Sequence, residues 1–239
     1  MYTRVVPIIS TAALLDGKFA NGLDQTGLAQ KGGTVVSNLL ITSTDKSADI
    51  TASNRVIDGG ADAMLVFDLV SATKNINRAD PERTRAVVST TLVPTGSMVS
   101  GRGSDRFPDL DRFRSAIDGA TRASENVWID AAGIAQRVFG SQPAANVLVV
   151  GIAYQRGLLP VSSASIERAI ELNGVAVQAN LEAFRLGRRL AAEPELLAEL
   201  EDVVDTEEAG PAPLTGKLAR MADQIGGGAE LQEILAYRL

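Results

Sequence analysis

Short apolar runs with the composition of buried strands alternate with helical segments through most of this sequence. The clearest run spans residues 63–68, where uninterrupted apolar residues end at an acid, as in a central strand of a parallel sheet. A helix is predicted next, over 70–77, and the same order recurs with strands at 84–90 and 126–130 and a helix at 131–139. Because strands and helices that alternate through short connections form a parallel sheet with helices on both faces, the sequence predicts a Rossmann-like, three-layer α/β fold.

Further elements are predicted on either side of this pattern. A helix is expected over 5–17, and a strand with β-branched residues over 34–42. From residue 144 onward the pattern becomes helical, with Ser162 placed to cap one helix and Gly174 placed to end it. The fold therefore ends in a helical C-terminal region.

Composition along the chain predicts the domain organisation. Hydrophobic residues make up 45% of the sequence and aromatic residues only 4%, so aliphatic side chains must fill the core. Residues 193–208 are rich in acids and are followed by a Gly-Pro-Ala-Pro segment. We expect one domain over 1–190, with an acidic linker and a helical extension over 191–239.

Charge and hydropathy exclude two classes of partner. The formal net charge is −6, which argues against nucleic acid, because phosphates require a concentrated basic surface. The basic residues Arg185, Arg188 and Arg189 are interpreted as the solvated face of a helix. No apolar run approaches the roughly 18 residues that span a bilayer, and no secretory signal is recognisable, so we expect a soluble, cytoplasmic protein.

The sequence contains no cysteine and no histidine. These absences remove disulfides, thiolate catalysis, cysteine-ligated iron–sulfur clusters, and the commonest metal ligand and general base. We therefore expect no metal site and identify no catalytic residue. Any redox chemistry linked to this chain must take place on cofactors that other domains or chains hold.

A glycine-punctuated polar loop precedes the strand at 34–42. Its glycines permit close approach to the main chain, and its glutamine and lysine add donors beside that backbone. Such a loop suits an interface or an anion, although an ordinary tight turn before a strand also explains the glycines. The candidate binding residues are Thr26, Gly27, Gln30, Lys31, Gly32 and Gly33.

The full amino-acid sequence of this loop is more specific than the spacing of its glycines. Residues 24–33 read Asp-Gln-Thr-Gly-Leu-Ala-Gln-Lys-Gly-Gly, and residues 146–160 read Asn-Val-Leu-Val-Val-Gly-Ile-Ala-Tyr-Gln-Arg-Gly-Leu-Leu-Pro. Both stretches, in this order, resemble the gamma-type domain of the 2-oxoacid:ferredoxin oxidoreductases, most closely the indolepyruvate ferredoxin oxidoreductase chains. The resemblance continues through 165–180 and covers roughly residues 5–190.

The resemblance implies a part of a larger enzyme. That enzyme would decarboxylate an aryl pyruvate on thiamine diphosphate, pass electrons through iron–sulfur clusters to ferredoxin, and transfer the acyl group to CoA. The partners implied are thiamine- and cluster-binding subunits. The chain itself lacks a recognisable thiamine motif and would bind none of these cofactors alone. Its loop would face the thiamine-containing partner, with Lys31 as a charge for a carboxylate or a CoA phosphate.

Two further polar residues each allow two interpretations. Asn146 opens the second matching stretch and is predicted to be a helix N-cap, with ligand contact as the alternative. Asp68 follows a predicted strand, where α/β proteins bind ligands, but such an acid more often caps the next helix. Nothing in the sequence brings Asp24 and Asp130 together, so we assign them no acid–base role.

One feature departs from the resemblance. In these domains a first strand and a glycine-rich turn precede the helix expected at 5–17, and this sequence begins at Met1 without them. We expect either a rearranged sheet or a strand supplied by another chain, which favours self-association. A binding or scaffold module without turnover is the alternative function. A free-standing nucleotide-dependent oxidoreductase is disfavoured, because no intact Gly-x-Gly-x-x-Gly follows a strand.

Overall fold

The fold is known from a computed structural model. All of the described residues belong to one compact unit, Met1–Leu200. The described residues are 5–26, 35–43, 54–91, 109–140, 142–193 and 195–197.

Within these residues the chain forms five strands and seven α-helices. The strands are β1 (Lys18–Thr26), β2 (Val35–Ser43), β3 (Ala63–Val66), β4 (Arg85–Ser89) and β5 (Val127–Ile129). The helices are α1 (Val5–Leu15), α2 (Leu69–Lys74), α3 (Leu110–Ala120), α4 (Ala131–Phe139), α5 (Ala145–Gln155), α6 (Ser163–Asn173) and α7 (Val177–Ala192).

A parallel sheet lies at the centre of the α/β fold, with strand order β3-β4-β5. Side chains of successive residues point to opposite faces, so Val87 and Ile129 join a core built with α1, α4, α5, α6 and α7. On the other face, Val66 and Val88 pack with Ile117 of α3 and with α2. Helices thus cover both faces, and the predicted α/β class is confirmed.

A second, antiparallel sheet consists of β1 and β2. Strand β2 confirms the strand predicted over 34–42, whereas β1 was not predicted, because its sequence is too polar to show strand periodicity. Its formation depends on pairing with β2 and on packing against α1. A Cβ added to Gly22 would lie 3.3 Å from Cγ1 of Val6, so the hairpin approaches that helix closely.

Helices α5 and α7 cross at a pair of glycines. A Cβ at Gly151 would overlap the carbonyl oxygen of Phe184, and a Cβ at Gly187 would overlap the carbonyl oxygen of Leu148. The two backbones therefore touch, and the buried Leu148 and Phe184 pack at the crossing. The close approach of the two helices thus depends on glycine at both positions.

The helix ends follow the local rules read from the sequence. Ser162 caps α6, accepting a hydrogen bond at Oγ from the backbone N–H of Ser165 at 3.2 Å. Gly140 and Gly174 end α4 and α6 in the left-handed conformation. Asp16, just after α1, accepts hydrogen bonds from the hydroxyls of Ser162 at 2.8 Å and Ser165 at 2.5 Å. One carboxylate thereby joins the end of α1 to the start of α6.

Candidate functional site

The predicted loop is the connection of the β1–β2 hairpin. Thr26 is the last residue of β1 and pairs with Val35, the first residue of β2. The candidate residues Gly27, Gln30, Lys31, Gly32 and Gly33 lie outside the described residues. Their role in binding therefore stays a prediction, and the hairpin brings the two ends of their segment side by side.

A polar cluster lies towards the Thr26–Val35 end of this hairpin, on the face of the strands opposite to the one on which Gly22 meets α1. Asn38 of β2 is only 3% exposed, and its Oδ1 accepts hydrogen bonds from Nη1 of Arg78 and, at 3.3 Å, from the backbone N–H of Val56. Nη2 of Arg78 donates to Oε1 of Gln25 at 3.2 Å. Gln25 stands next to Thr26 on β1, so the cluster is adjacent to the start of the predicted binding loop.

The backbone around Arg78 is held in place by hydrogen bonds. Arg78 ends a single helical turn, Ile76–Arg78, and its carbonyl oxygen accepts from the backbone N–H of Ala61 at 3.0 Å. The carbonyl oxygen of Asn77 accepts from Gly59 at 3.0 Å. These bonds tie the arginine to the segment that also contacts Asn38, so the guanidinium is positioned by two separate stretches of chain.

The cluster contains an unsatisfied donor. Nδ2 of Asn38 is buried and has no hydrogen-bond partner among the residues that the structure describes. Leaving such a group unpaired costs about 1–3 kcal/mol, so native structures rarely keep one without a reason. Since Oδ1 is the acceptor for both Arg78 and Val56, the orientation of the amide is fixed, and Nδ2 is the atom left without a partner.

Sequence reasoning missed this cluster. Asn38 and Arg78 are far apart in the chain, and no spacing pattern connects them. One signal was present: Asn38 is a polar residue within a strand rich in β-branched and leucine residues. A buried asparagine in such a strand needs hydrogen-bond partners.

The acids at the carboxyl ends of the parallel strands have structural roles. Asp68 caps α2, with Oδ1 accepting from the backbone N–H of Val70 at 2.9 Å, which confirms the capping interpretation. Asp130 caps α4, with Oδ1 accepting from the backbone N–H of Gly133 at 3.1 Å and from Oγ1 of Thr91 at 2.9 Å. Both carboxylates are thus engaged in holding helix starts.

The N-cap prediction for Asn146 is wrong. Helix α5 begins at Ala145 with Ala144 at the cap position, because a helical turn over Gln142–Ala144 runs directly into it. Asn146 lies half-buried in the first turn of α5. Its predicted contact with a ligand is untested.

The arginines of α7 are used within the fold. Nη2 of Arg185 lies 2.6 Å from Oε2 of Glu167, and this pairing lowers the pKa of the Glu167 carboxyl below its ordinary value. The guanidinium carbon of Arg188 lies 5.2 Å from the ring centre of Tyr154, a cation–π distance. These contacts favour a structural role for the basic helix face.

Two searches of the described residues give negative results. Within the ranges given above, no group of three or more acidic, histidine or cysteine side chains is arranged to hold a metal ion. In the same part of the chain, no helix has the length and apolar character needed to cross a membrane.

Comparison with known proteins connects this geometry to a family. A family model described as pyruvate ferredoxin/flavodoxin oxidoreductase matches residues 5–190. A search of curated proteins gave no match.

Two solved structures have a similar fold. One is the gamma subunit of keto/oxoacid ferredoxin oxidoreductase from Geobacter sulfurreducens PCA, with a TM-score of 0.52 and 18% identity over 78% of this chain and 89% of that one. The other is pyruvate oxidoreductase subunit PORC from Thermotoga maritima, with a TM-score of 0.50 and 16% identity over 76% of this chain and 85% of that one. At these identities the similarity establishes the fold alone.

Proposed function

The chain belongs to the pyruvate ferredoxin/flavodoxin oxidoreductase family, and we propose that it acts as the gamma-type part of a thiamine-dependent 2-oxoacid:ferredoxin oxidoreductase. The complex would convert an aryl pyruvate such as indolepyruvate to its acyl-CoA and carbon dioxide, and would pass two electrons to ferredoxin. The observation that carries this proposal is the family match over residues 5–190, which includes both the hairpin and the parallel sheet.

The donor set of the chain decides which part of the chemistry it could contribute. Iron–sulfur clusters are held mainly by cysteine thiolates, and this sequence has no cysteine. The residues present therefore do not fit a cluster, and we propose that other domains or chains hold the clusters. The acids at the sheet edge, Asp68 and Asp130, are occupied as helix caps. We accordingly propose that the chain completes an interface or a pocket and performs no chemical step itself.

The loop 27–34 is the part of the chain that we expect to reach the partner. The residues that flank it, Thr26 and Val35, pair with each other in the hairpin. We propose that Gly27, Gln30 and Lys31 contact the thiamine-binding subunit or the CoA entrance, where exposed main chain and a lysine would suit an anionic group. Asn146 is the remaining candidate contact.

The proposed preference for an aryl pyruvate depends on the amino-acid sequence of residues 24–33, which resembles that of indolepyruvate enzymes. This part of the proposal can fail while the rest stands. A complex that uses pyruvate in preference to indolepyruvate or phenylpyruvate would change the substrate and leave the gamma-type role intact.

Reconstitution tests the proposed role. The purified chain is assayed alone and with candidate thiamine- and cluster-binding subunits, and oxoacid- and CoA-dependent reduction of a viologen dye is followed. We expect activity only in the mixture. Activity of the chain alone would contradict the proposal that it performs no chemical step itself. If the chain binds the other subunits but their turnover is the same when the chain is left out, a scaffold module would be favoured.

We also propose that the chain self-associates and is cytoplasmic. Strand β3 pairs with β4 on one edge and, among the described residues, has no strand on its other edge. An unpaired strand edge is suited to receive a strand from a second copy. Light scattering should therefore detect a dimer or a larger species, and a monomer at all micromolar concentrations would exclude strand donation.

A further inference from the structure

We propose that Arg78 and Asn38 form a binding site for an oxyanion, the phosphate or carboxylate group of a small molecule, towards the Thr26–Val35 end of the β1–β2 hairpin. The site is a property of this chain alone and does not depend on the proposed role in an oxidoreductase complex. Three observations carry it: an uncompensated charge, an unpaired donor, and an accessible position.

The charge of Arg78 is not neutralised within the described residues. Its two acceptors, the side-chain oxygens of Asn38 and Gln25, are neutral amides, and no aspartate or glutamate in this part of the chain lies within ion-pair distance. Six other arginines differ, because each has a carboxylate partner. These paired arginines are Arg83, Arg85, Arg122, Arg168, Arg185 and Arg189.

The geometry of Arg78 leaves donors free for a ligand. A guanidinium carries five N–H groups in a planar fork, and two of the three nitrogens each make one hydrogen bond to an amide oxygen. The amides orient the guanidinium without cancelling its charge. A guanidinium that is held in one orientation and keeps its charge can bind phosphate or carboxylate through two parallel hydrogen bonds.

Asn38 supplies the second observation. Its side chain is almost fully buried, and its Nδ2 lacks an acceptor although its Oδ1 is bonded to Arg78. Nδ2 belongs to the amide whose oxygen accepts the hydrogen bond from Arg78. The amide nitrogen and the guanidinium are therefore neighbouring donors. An oxyanion that enters beside Arg78 would supply an acceptor to both groups.

The position is accessible to a ligand. Arg78 is only half-buried. Ile57, directly after the residue whose backbone donates to Asn38, is 75% exposed. A small anion can therefore approach this segment from solvent.

Calorimetric titration of the purified full-length chain tests the site. The probes are inorganic pyrophosphate, for a phosphate source, and phenylpyruvate, for a carboxylate source, at constant ionic strength. We expect saturable binding of at least one probe, and the probe that binds identifies the source. Arg78→Gln should weaken that binding tenfold or more, and Arg78→Lys should restore it only in part, because lysine keeps the charge but not the fork.

Two further variants separate the proposal from a structural role. Arg83→Gln, which removes an exposed arginine paired with Asp62, should leave binding unchanged. Asn38→Asp places a carboxylate beside Arg78 and should abolish binding while the circular dichroism spectrum and thermal unfolding remain native-like. If neither probe binds, or if Arg83→Gln weakens binding as much as Arg78→Gln, the proposal is overturned, whatever the outcome of reconstitution.

Discussion

The crossing of α5 and α7 leaves no room for a methyl group, which gives a sharp stability prediction for Gly151→Ala. The new Cβ would overlap the carbonyl oxygen of Phe184 and would lie 3.1 Å from the backbone nitrogen of Arg188. Both are backbone atoms of the neighbouring helix, so no change of side-chain rotamer relieves the overlap. The two helices must move apart.

The size of the effect follows from two opposing contributions. Inserting a methyl group into a packed core typically costs about 1–3 kcal/mol, and a backbone contact lies at the upper end of that range or above it. Alanine stabilises a helix interior by about 1 kcal/mol relative to glycine. We therefore expect a net loss of about 2 kcal/mol in the free energy of unfolding, which in a domain of this size lowers Tm by about 4–8 °C.

Thermal and urea unfolding followed by circular dichroism measure this loss. The matched control is Gly119→Ala in α3, where an added Cβ meets no atom within 4 Å. The control makes the same chemical change in a helix and should raise stability by about 0.5–1 kcal/mol. Opposite signs for the two variants are the expected result. If Gly151→Ala were as stable as Gly119→Ala, the close backbone contact would be refuted.

Two more predictions concern carboxylates. The pKa of the Asp16 carboxyl is lowered below its ordinary value of 3.8, chiefly by the hydrogen bond from Ser165. The ionised carboxylate therefore stabilises the fold fully at pH values above 3.8, and this stabilisation is lost as the pH falls through the lowered pKa. The stability difference between wild type and Asp16→Asn, from urea midpoints at about pH 7 and about pH 2, should therefore shrink in acid; a constant difference would contradict it. Asp68→Ala should cost about 1 kcal/mol through loss of the α2 cap, with Asp68→Asn closer to wild type, and equal unfolding midpoints for all three proteins would argue against capping.

The parts of the fold that the sequence could predict are those with local causes. The apolar run ending at Asp68 and the capping pattern at Ser162 contain their own signals, because period, caps and stops act over a few residues. Strand β1 has no such signal. It contains Asn21, Gly22 and Asp24, and it is a strand only because β2 and α1 lie beside it.

The candidate site shows the same division. Residues 24–33 could be singled out from the sequence because they are contiguous and distinctive, and their role in binding stays a prediction. Arg78 could not, since its significance comes from Asn38 and Gln25, which reach it only through the fold. The sequence predicts a cap at Asn146 because it does not show that the preceding turn continues into α5, which moves the helix start upstream.

The central claim is that loop 27–34 faces the partner subunit that holds the reactive cofactors, and site-specific cross-linking tests it most directly. The absence of native cysteine allows a single photoreactive label at Lys31→Cys, with Lys74→Cys on α2 as the exposed control. In the reconstituted, active complex we expect the Lys31→Cys label to cross-link to the thiamine-binding subunit and the control label not to do so. An active complex in which Lys31→Cys gives no such cross-link would contradict the account.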